Sequence, residues 1–186
     1  MTPVLFESLL QELIDENPFA IRAALRILKV EYTSSVPTLA VTCEAQPRML
    51  VNLDFLKAHA PEEAQTKAVV IHEFLHVLLR HTEGRQPLSP ARHLAFDAVI
   101  NAIIHRQYGE RYSSMMATYY ANATGLQKLL RPMNKVELRW VEREPKSLPQ
   151  WANAWKGLYD GRLVADDIES LTESLTSEAL QPSELL

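Results

Sequence analysis

Cysteine is nearly absent from this chain of 186 residues, in which Cys43 is the single thiol. One cysteine excludes a disulfide within the chain and a metal site built from several thiolates. We interpret Cys43 as a small buried residue of a strand. Such a composition is expected of a cytoplasmic protein and not of a disulfide-bonded secreted one.

Long apolar runs and an excess of basic charge are also missing. No stretch approaches the length needed to cross a bilayer, and residues 1–7 lack the basic leader and apolar run of a secretory signal. The net charge of -4 and the pI of about 5.9 provide no general attraction to nucleic acid or anionic membranes. We therefore expect a soluble, cytoplasmic protein whose partners include neither nucleic acid nor a membrane.

The length and the ordinary apolar content predict one domain over residues 1–186, with a core at about 4–175 and a flexible tail at 176–186. Short apolar segments at 38–43 and 48–52 predict a strand hairpin. Apolar periodicity predicts helices at 4–29 (interrupted at Asn17-Pro18), 53–59, 61–80, 91–108, 126–131 and 164–175, and residues 132–157 are predicted to form a packed irregular segment. The fold class is therefore α+β, mostly helical with a small sheet at about 38–52.

A His-Glu-x-x-His motif lies in the middle of the predicted helix at 61–80, which is apolar on nearly all sides. Residues four apart share one face of a helix, so the imidazoles of His72 and His76 can reach one cation. Glu73 would lie beside the open coordination position, where it can take a proton from a zinc-bound water. The competing interpretation is two hydrogen-bonded core histidines in a structural helix, but burying this set without partners is costly.

Two residues compete to be the third ligand of the expected Zn²⁺ ion. Asp97 is a lone carboxylate in the next apolar helix, where it needs a partner, and a helix that folds back would present it to the two histidines. His81 would point away from His72 if the helix continued, and could bind only if the helix ended just after Leu79. The sequence favours Asp97 and leaves His81 as the alternative.

Weaker candidates surround this set. His93 and Asn101 are each four residues from Asp97 and share its face, so they could orient the ligands, or simply be ordinary helix polar residues. A tyrosine often stabilises an oxyanion, and the available residues are Tyr112, Tyr119 and Tyr120. We interpret His59 as an exposed loop residue and His105 as a capping or surface residue. Neither is expected to have a role in the site.

The motif at 72–76, followed by His81 and by Asp97 within Ala95-Phe96-Asp97-x-x-Ile100-Asn101, resembles a metallopeptidase-like domain that bacteria carry ahead of a von Willebrand A-like domain. The similarity extends over most of the chain, although only residues 72–101 are specific. The resemblance implies a zincin-like α+β fold.

The sequence therefore predicts a zinc metallopeptidase that cleaves a peptide bond in a peptide or protein substrate. Zn²⁺ would be held by His72, His76 and Asp97, and Glu73 would be the general base and then the general acid. The substrate would lie extended along an edge strand near residues 38–43. A catalytically inactive, metal-stabilised interaction module, a zinc hydrolase of a non-peptide amide, and regulation by a partner protein stay open.

Overall fold

The computed structural model describes residues 1–17, 23–24, 27, 29–42, 44–81, 89–143 and 148–180. Within these residues the chain is mostly helical and contains one small sheet, as expected for an α+β fold. The elements are α1 (Pro3–Glu16), β1 (Lys29–Tyr32), β2 (Leu39–Val41), β3 (Arg48–Val51), α2 (Leu53–His59), α3 (Glu63–Leu78), α4 (Pro90–Tyr108), α5 (Glu110–Tyr119), a 3₁₀ helix (Gly125–Leu130), α6 (Lys135–Arg143), α7 (Gln150–Tyr159) and α8 (Ala165–Leu180). None of the helices in the described ranges is long and apolar enough to cross a membrane.

The sheet has the strand order β1-β3-β2. The antiparallel pair of β2 and β3, with Leu39 opposite Val51, confirms the predicted hairpin. The third strand, β1, pairs in parallel with β3 and was not predicted, because residues 4–29 were assigned to helix and residues 30–32 to no element. Cys43, interpreted as a buried strand residue, and the interruption at Pro18 lie outside the described residues.

The backbone of β2 alternates between its partner strand and its open edge. Thr42 donates its N–H to the carbonyl of Arg48, and the carbonyl of Thr38 accepts from Asn52. Because antiparallel pairing alternates along a strand, the backbone N–H and C=O groups of Leu39 and Val41 point away from β3. No strand among the described residues pairs with this side of β2.

The central helix, α3, has defined signals at both ends. At its start, the side chain of Gln65 accepts a hydrogen bond from the backbone N–H of Glu62. At its end, Arg80 adopts the left-handed conformation with φ of 61°, and the His81 N–H bonds back to the carbonyl of His76. This Schellman-type ending turns the chain sharply, so His81 does not continue along the helix.

The second helix of the site, α4, matches its predicted range closely. Ser89 caps its first turn by accepting a hydrogen bond from the Arg92 N–H, and Pro90 occupies a position where a missing donor is tolerated. It ends at Gly109, whose φ of 78° favours glycine. Because α4 packs against α3, α5, α7 and α8, it carries Asp97 into the interior beside α3.

Residues 132–157, predicted to be irregular, contain α6 and the first part of α7, so this prediction was wrong. Asn134 caps the start of α6, because its side-chain oxygen accepts hydrogen bonds from the backbone N–H groups of Val136 and Glu137. Pro149 precedes α7 and is compatible with a helix start. Pro132 and Pro149, two of the prolines that suggested irregular structure, therefore lie outside these helices and not within them.

A buried ion pair fixes the start of α6 to the end of the 3₁₀ helix. Arg131, which is 5% exposed, donates to both carboxylate oxygens of Glu137 over 2.6 and 2.7 Å. Lys128 donates to the same carboxylate, and the Arg131 guanidinium also lies over the buried ring of Trp155. Every charge in this cluster thus has a partner of opposite sign.

The last predicted helix, 164–175, is present as α8, which extends to Leu180. Residues 181–186, the end of the tail predicted to be flexible, lie outside the described residues. The flexibility of the tail stays a prediction.

Candidate metal centre

Three side chains from α3 and α4 converge on one point. The Nε2 atoms of His72 and His76 are 3.0 Å apart, and the Oδ1 atom of Asp97 lies 3.6 Å from the first and 3.1 Å from the second. Ligand atoms around a tetrahedral zinc ion with bonds of about 2.0–2.1 Å are about 3.3–3.4 Å apart. These three residues are therefore positioned to hold a metal ion, and they form the candidate cluster that the described residues contain.

One oxygen of the Asp97 carboxylate lacks the hydrogen bond that a buried polar atom needs. Its Oδ1 atom is buried and has no hydrogen-bond partner within the described part of the chain. Burial by itself would raise the pKa of Asp97, but the imidazoles of His72, His76 and His93 outweigh this effect and hold the pKa well below its usual range. This buried, ionised oxygen and the two nearby imidazole nitrogens form a set of ligand atoms, and a divalent cation bound to them would satisfy the oxygen.

Asn101 fixes the orientation of His72. The Asn101 amide nitrogen donates to the carbonyl of Leu130 over 2.9 Å, so its Oδ1 atom must face His72. That oxygen is 2.8 Å from His72 Nδ1, which therefore carries the proton and donates it. The Nε2 atom of His72 is left with its lone pair directed at the cluster, as a metal ligand requires.

His81 reaches the site because of the sharp turn at Arg80. Its Nδ1 atom is 3.1 Å from His76 Nδ1, which is the nitrogen of His76 that faces away from Asp97. Its ring stacks on Phe96 with centroids 3.6 Å apart. Burial and the neighbouring His76 lower the pKa of His81 to about 4, so it is neutral near pH 7 and can accept a hydrogen bond from His76. His81 is therefore placed to orient His76 by a hydrogen bond, and the third member of the triad is Asp97 and not His81.

Glu73 lies on the same helix between the two histidines and lines the same cleft. Partial burial is the main cause that raises its pKa to about 7; the neighbouring His72 acts in the opposite direction, and Asp97 adds to the rise. A backbone hydrogen bond from Val41 on β2 also lowers its pKa. A carboxyl group with a pKa near 7 can both accept and release a proton at neutral pH.

The triad opens into a cleft of about 380 Å³. One side is the open edge of β2 and the residues before it, Val36 to Val41, so the backbone groups of β2 that face away from β3 border the cleft next to Glu73. The cleft therefore combines a candidate metal centre, a titratable carboxylate and a strand edge that pairs with no other strand among the described residues.

His93 also lines the cleft, at its outer side. Its Nδ1 atom is 3.4 Å from Asp97 Oδ2, the carboxylate oxygen that does not take part in the triad. The side chain is 62% exposed, so His93 covers Asp97 from the solvent side. Both residues that the sequence placed on the face of Asp97 are thus in contact with the triad, His93 through Asp97 and Asn101 through His72.

The candidate tyrosines separate into two groups. Tyr119 and Tyr120 line the cleft, whereas Tyr112 stacks on Tyr108 elsewhere in the core. Burial, with smaller contributions from Asp97 and Tyr119, raises the pKa of Tyr120 to about 12. Tyr120 therefore stays a neutral hydrogen-bond donor at the cleft. Of the remaining histidines, His59 contacts Phe55 and Tyr119 at the surface, and His105 bonds to the buried Ser113.

The apolar walls of the cleft could not be predicted from the sequence. Phe55 comes from α2, Val69 from α3, and Met115 and Met116 from α5. Each of them has the pattern of an ordinary core residue, and only the tertiary arrangement shows that they face the cleft.

The chain matches no protein-family model, no curated protein and no solved structure.

Proposed function

We propose that this protein is a zinc-dependent hydrolase of the metallopeptidase type and that it has the zincin-like character suggested by its sequence. The observation that carries the proposal is the buried Oδ1 atom of Asp97, which accepts no hydrogen bond within the described ranges and forms a triangle with the Nε2 atoms of His72 and His76. A purely structural helix pair gains nothing from leaving this oxygen unsatisfied. The carboxyl group of Glu73 beside the triangle supports a catalytic role over a structural one.

Zinc is the cation that suits these donors best. Two imidazole nitrogens and one carboxylate oxygen at tetrahedral spacing are typical of a zinc site that keeps a position open for substrate. When bound, Zn²⁺ supplies Lewis acidity, which lowers the pKa of a water molecule in the site and polarises a substrate carbonyl.

Glu73 moves the protons of the proposed reaction. Its carboxylate accepts a proton from the water whose oxygen attacks the carbonyl carbon of the substrate. When the C–N bond breaks, the same carboxyl group gives that proton to the departing nitrogen, so its ionised form is restored. The pKa of about 7 suits both steps, because the group is neither a very weak base nor a very weak acid at neutral pH.

The open edge of β2 would hold the substrate. The outward N–H of Leu39 and C=O of Val41 can pair with an extended peptide as an added strand, whereas the Val41 N–H bonds to Glu73 and the Leu39 carbonyl accepts from the Thr38 hydroxyl. Such pairing uses backbone groups that every peptide has, so it positions the scissile bond beside Glu73 without requiring one sequence.

The test compares the wild-type protein with Glu73→Gln and with a matched control, Glu142→Gln, which changes an exposed residue of α6. All three are loaded with zinc, analysed for metal content and incubated with unfolded casein and with mixed internally quenched peptides. We expect about one zinc per chain in each. We expect the rate of hydrolysis to fall by roughly 10²–10⁴-fold in Glu73→Gln alone.

Equal hydrolysis by wild type and Glu73→Gln would show that Glu73 is not the base. Zinc in all three proteins without any hydrolysis, including that of simple amides, would favour the metal-stabilised interaction module. Hydrolysis of simple amides without hydrolysis of peptides would identify a non-peptide amide hydrolase. Absence of zinc from the wild type would contradict the metal centre itself.

A further inference from the structure

Two chemically different groups of side chains line the cleft. The imidazoles of His81 and His93 lie against the triad. The second group is apolar, and we call it the apolar pocket: Phe55, Val69, Met115, Met116 and Tyr119. The first group contacts the triad, whereas the apolar pocket has no part in the proposed proton transfers.

Val69 joins the apolar pocket to the metal centre. It precedes His72 by three residues and Glu73 by four, so it lies on the same face of α3, one turn closer to the N-terminus. A group bound against Val69 would therefore be adjacent to whatever is bound at the triad.

The other walls come from two further helices. Phe55 of α2 and Tyr119 of α5 meet edge to face, with ring centroids 5.6 Å apart. Met115 from the same α5 adds a flexible, polarisable surface that adapts to different apolar shapes. Tyr119 is 44% exposed and stands at the rim, whereas Phe55 and Met115 are 8% and 7% exposed.

Charge is confined to the polar part of the cleft. Among the residues described as lining it, the carboxylates are Glu73 and Asp97, and lysine and arginine are absent. A charged side chain that entered the apolar pocket would lose its hydration without gaining a partner there. The pocket therefore selects against charge as well as in favour of apolar surface.

We propose that the apolar pocket binds a large apolar or aromatic side chain of the substrate, next to the bond that is cleaved. This inference rests on the proposed function, because it assigns the substrate class of the same site. The backbone pairing along β2 is indifferent to sequence, so the apolar pocket supplies the selectivity that the strand edge lacks. Each methylene that it buries should improve affinity by roughly fourfold.

The experiment measures binding and not turnover. Isothermal titration of the zinc-loaded protein uses three hydroxamates that share one metal-binding group: acetohydroxamate, 3-phenylpropanohydroxamate and succinic monohydroxamate. They carry a methyl group, an aromatic ring and a carboxylate. We expect the aromatic compound to bind roughly 10- to 100-fold more tightly than acetohydroxamate. We expect the carboxylate compound to bind no more tightly than acetohydroxamate.

Met115→Gln tests the pocket with little change in side-chain shape, and Met133→Gln is the matched control. Met133 is partly buried outside the cleft, so its replacement introduces the same amide group without touching the pocket. We expect the preference for the aromatic compound to fall by about 5- to 10-fold in Met115→Gln and to persist in Met133→Gln. Thermal unfolding of both variants shows that they are compared as folded proteins.

Three outcomes overturn the inference, and they have different causes. If all three hydroxamates bind equally to the zinc-loaded wild type, the metal centre stands and the apolar pocket is wrong. If the aromatic preference survives Met115→Gln unchanged, the selectivity comes from another surface. If none of the compounds binds, or if they bind equally well after zinc is removed, the metal centre fails and the substrate assignment fails with it.

Discussion

The candidate metal centre and the Arg131–Glu137 ion pair both lie largely inside the protein, yet their polar atoms are satisfied to different degrees. Around Arg131, both oxygens of Glu137 accept hydrogen bonds, and Lys128 adds a second cation. At the triad, Asp97 Oδ1 is buried and accepts no hydrogen bond from the part of the chain that the structure describes. A cluster whose polar atoms are all paired stabilises the fold without any ligand. A cluster with an unpaired buried oxygen costs free energy until a ligand binds that oxygen.

The largest expected effect breaks the satisfied cluster. Glu137→Gln leaves Arg131 buried without its counterion, so the free energy of unfolding should fall by about 3–5 kcal/mol. The loss should be the same in zinc and in a chelator, because this cluster does not contact the triad. Urea unfolding of Glu137→Gln and of the exposed control Glu142→Gln measures it. A loss below about 1 kcal/mol would show that the ion pair is not a structural anchor.

The pH dependence of the same pair gives a second test. Burial alone would raise the pKa of Glu137, but Arg131, the Asn134 backbone and Lys128 together lower it to about 2 from its usual 4.5. A carboxyl group with a lowered pKa stabilises the folded state above its unfolded pKa. Its contribution should therefore be complete above about pH 4.5 and disappear as the pH falls towards 2. Unfolding in a chelator should show this loss in wild type and a flatter profile in Glu137→Gln.

Removing the Asp97 carboxylate should, in contrast to Glu137→Gln, act on zinc binding. Asp97→Ala should weaken zinc binding by more than about 100-fold, whereas His81→Ala should cost only the roughly 10- to 100-fold typical of a residue that supports a ligand. Asp97→Asn should be intermediate because it retains a neutral oxygen. Competition with a fluorescent zinc chelator gives the affinities. A larger loss for His81→Ala would transfer the third-ligand role to His81.

Zinc itself should stabilise the folded protein. At a free concentration 100 times the dissociation constant, binding adds about 2.7 kcal/mol to the free energy of unfolding. Glu137→Gln should gain this amount as the wild type does, and His72→Ala should not. An equal zinc-dependent gain in His72→Ala, measured by thermal unfolding, would mean that the ion binds elsewhere.

The smallest expected effect concerns the orientation of one ligand. Asn101→Leu keeps the side-chain size but removes the acceptor that holds the proton on His72 Nδ1. Zinc affinity should decrease by roughly 10-fold, at the lower end of the range for supporting residues. Asn153→Leu, at an exposed position of α7, is the matched control. No change in affinity for Asn101→Leu would show that His72 is oriented by packing alone.

The sequence predicted those parts of the fold whose signals are local. The ranges of α2 and α4 follow from apolar spacing and from residues such as Asn52, Pro90 and Gly109 that begin or end helices. The strand β1 was missed although Val30 and Tyr32 alternate with charged residues, because four residues give a weak pattern. Its partner is a distant parallel strand, and such pairing leaves no mark on the local sequence.

The same division holds at the candidate site. The four-residue spacing of His72 and His76 is visible in the sequence, and the need for a partner pointed to Asp97. The position of His81 could not be deduced, because it depends on Arg80 entering a conformation that few arginines adopt. The walls of the cleft could not be predicted either, since Phe55 and Met115 come to line one cleft only after their helices have packed.

Arg80 also sets a limit on how this sequence can vary. A left-handed backbone at a residue other than glycine costs roughly 1–2 kcal/mol, which other contacts must offset. Substitution by glycine or asparagine would keep the turn at a lower cost, whereas valine or isoleucine would strongly disfavour it and so displace His81 from His76. Position 80 is exposed, and an exposed residue usually tolerates most substitutions. Here mutational tolerance should instead be narrow, because the backbone conformation at this position already disfavours most side chains.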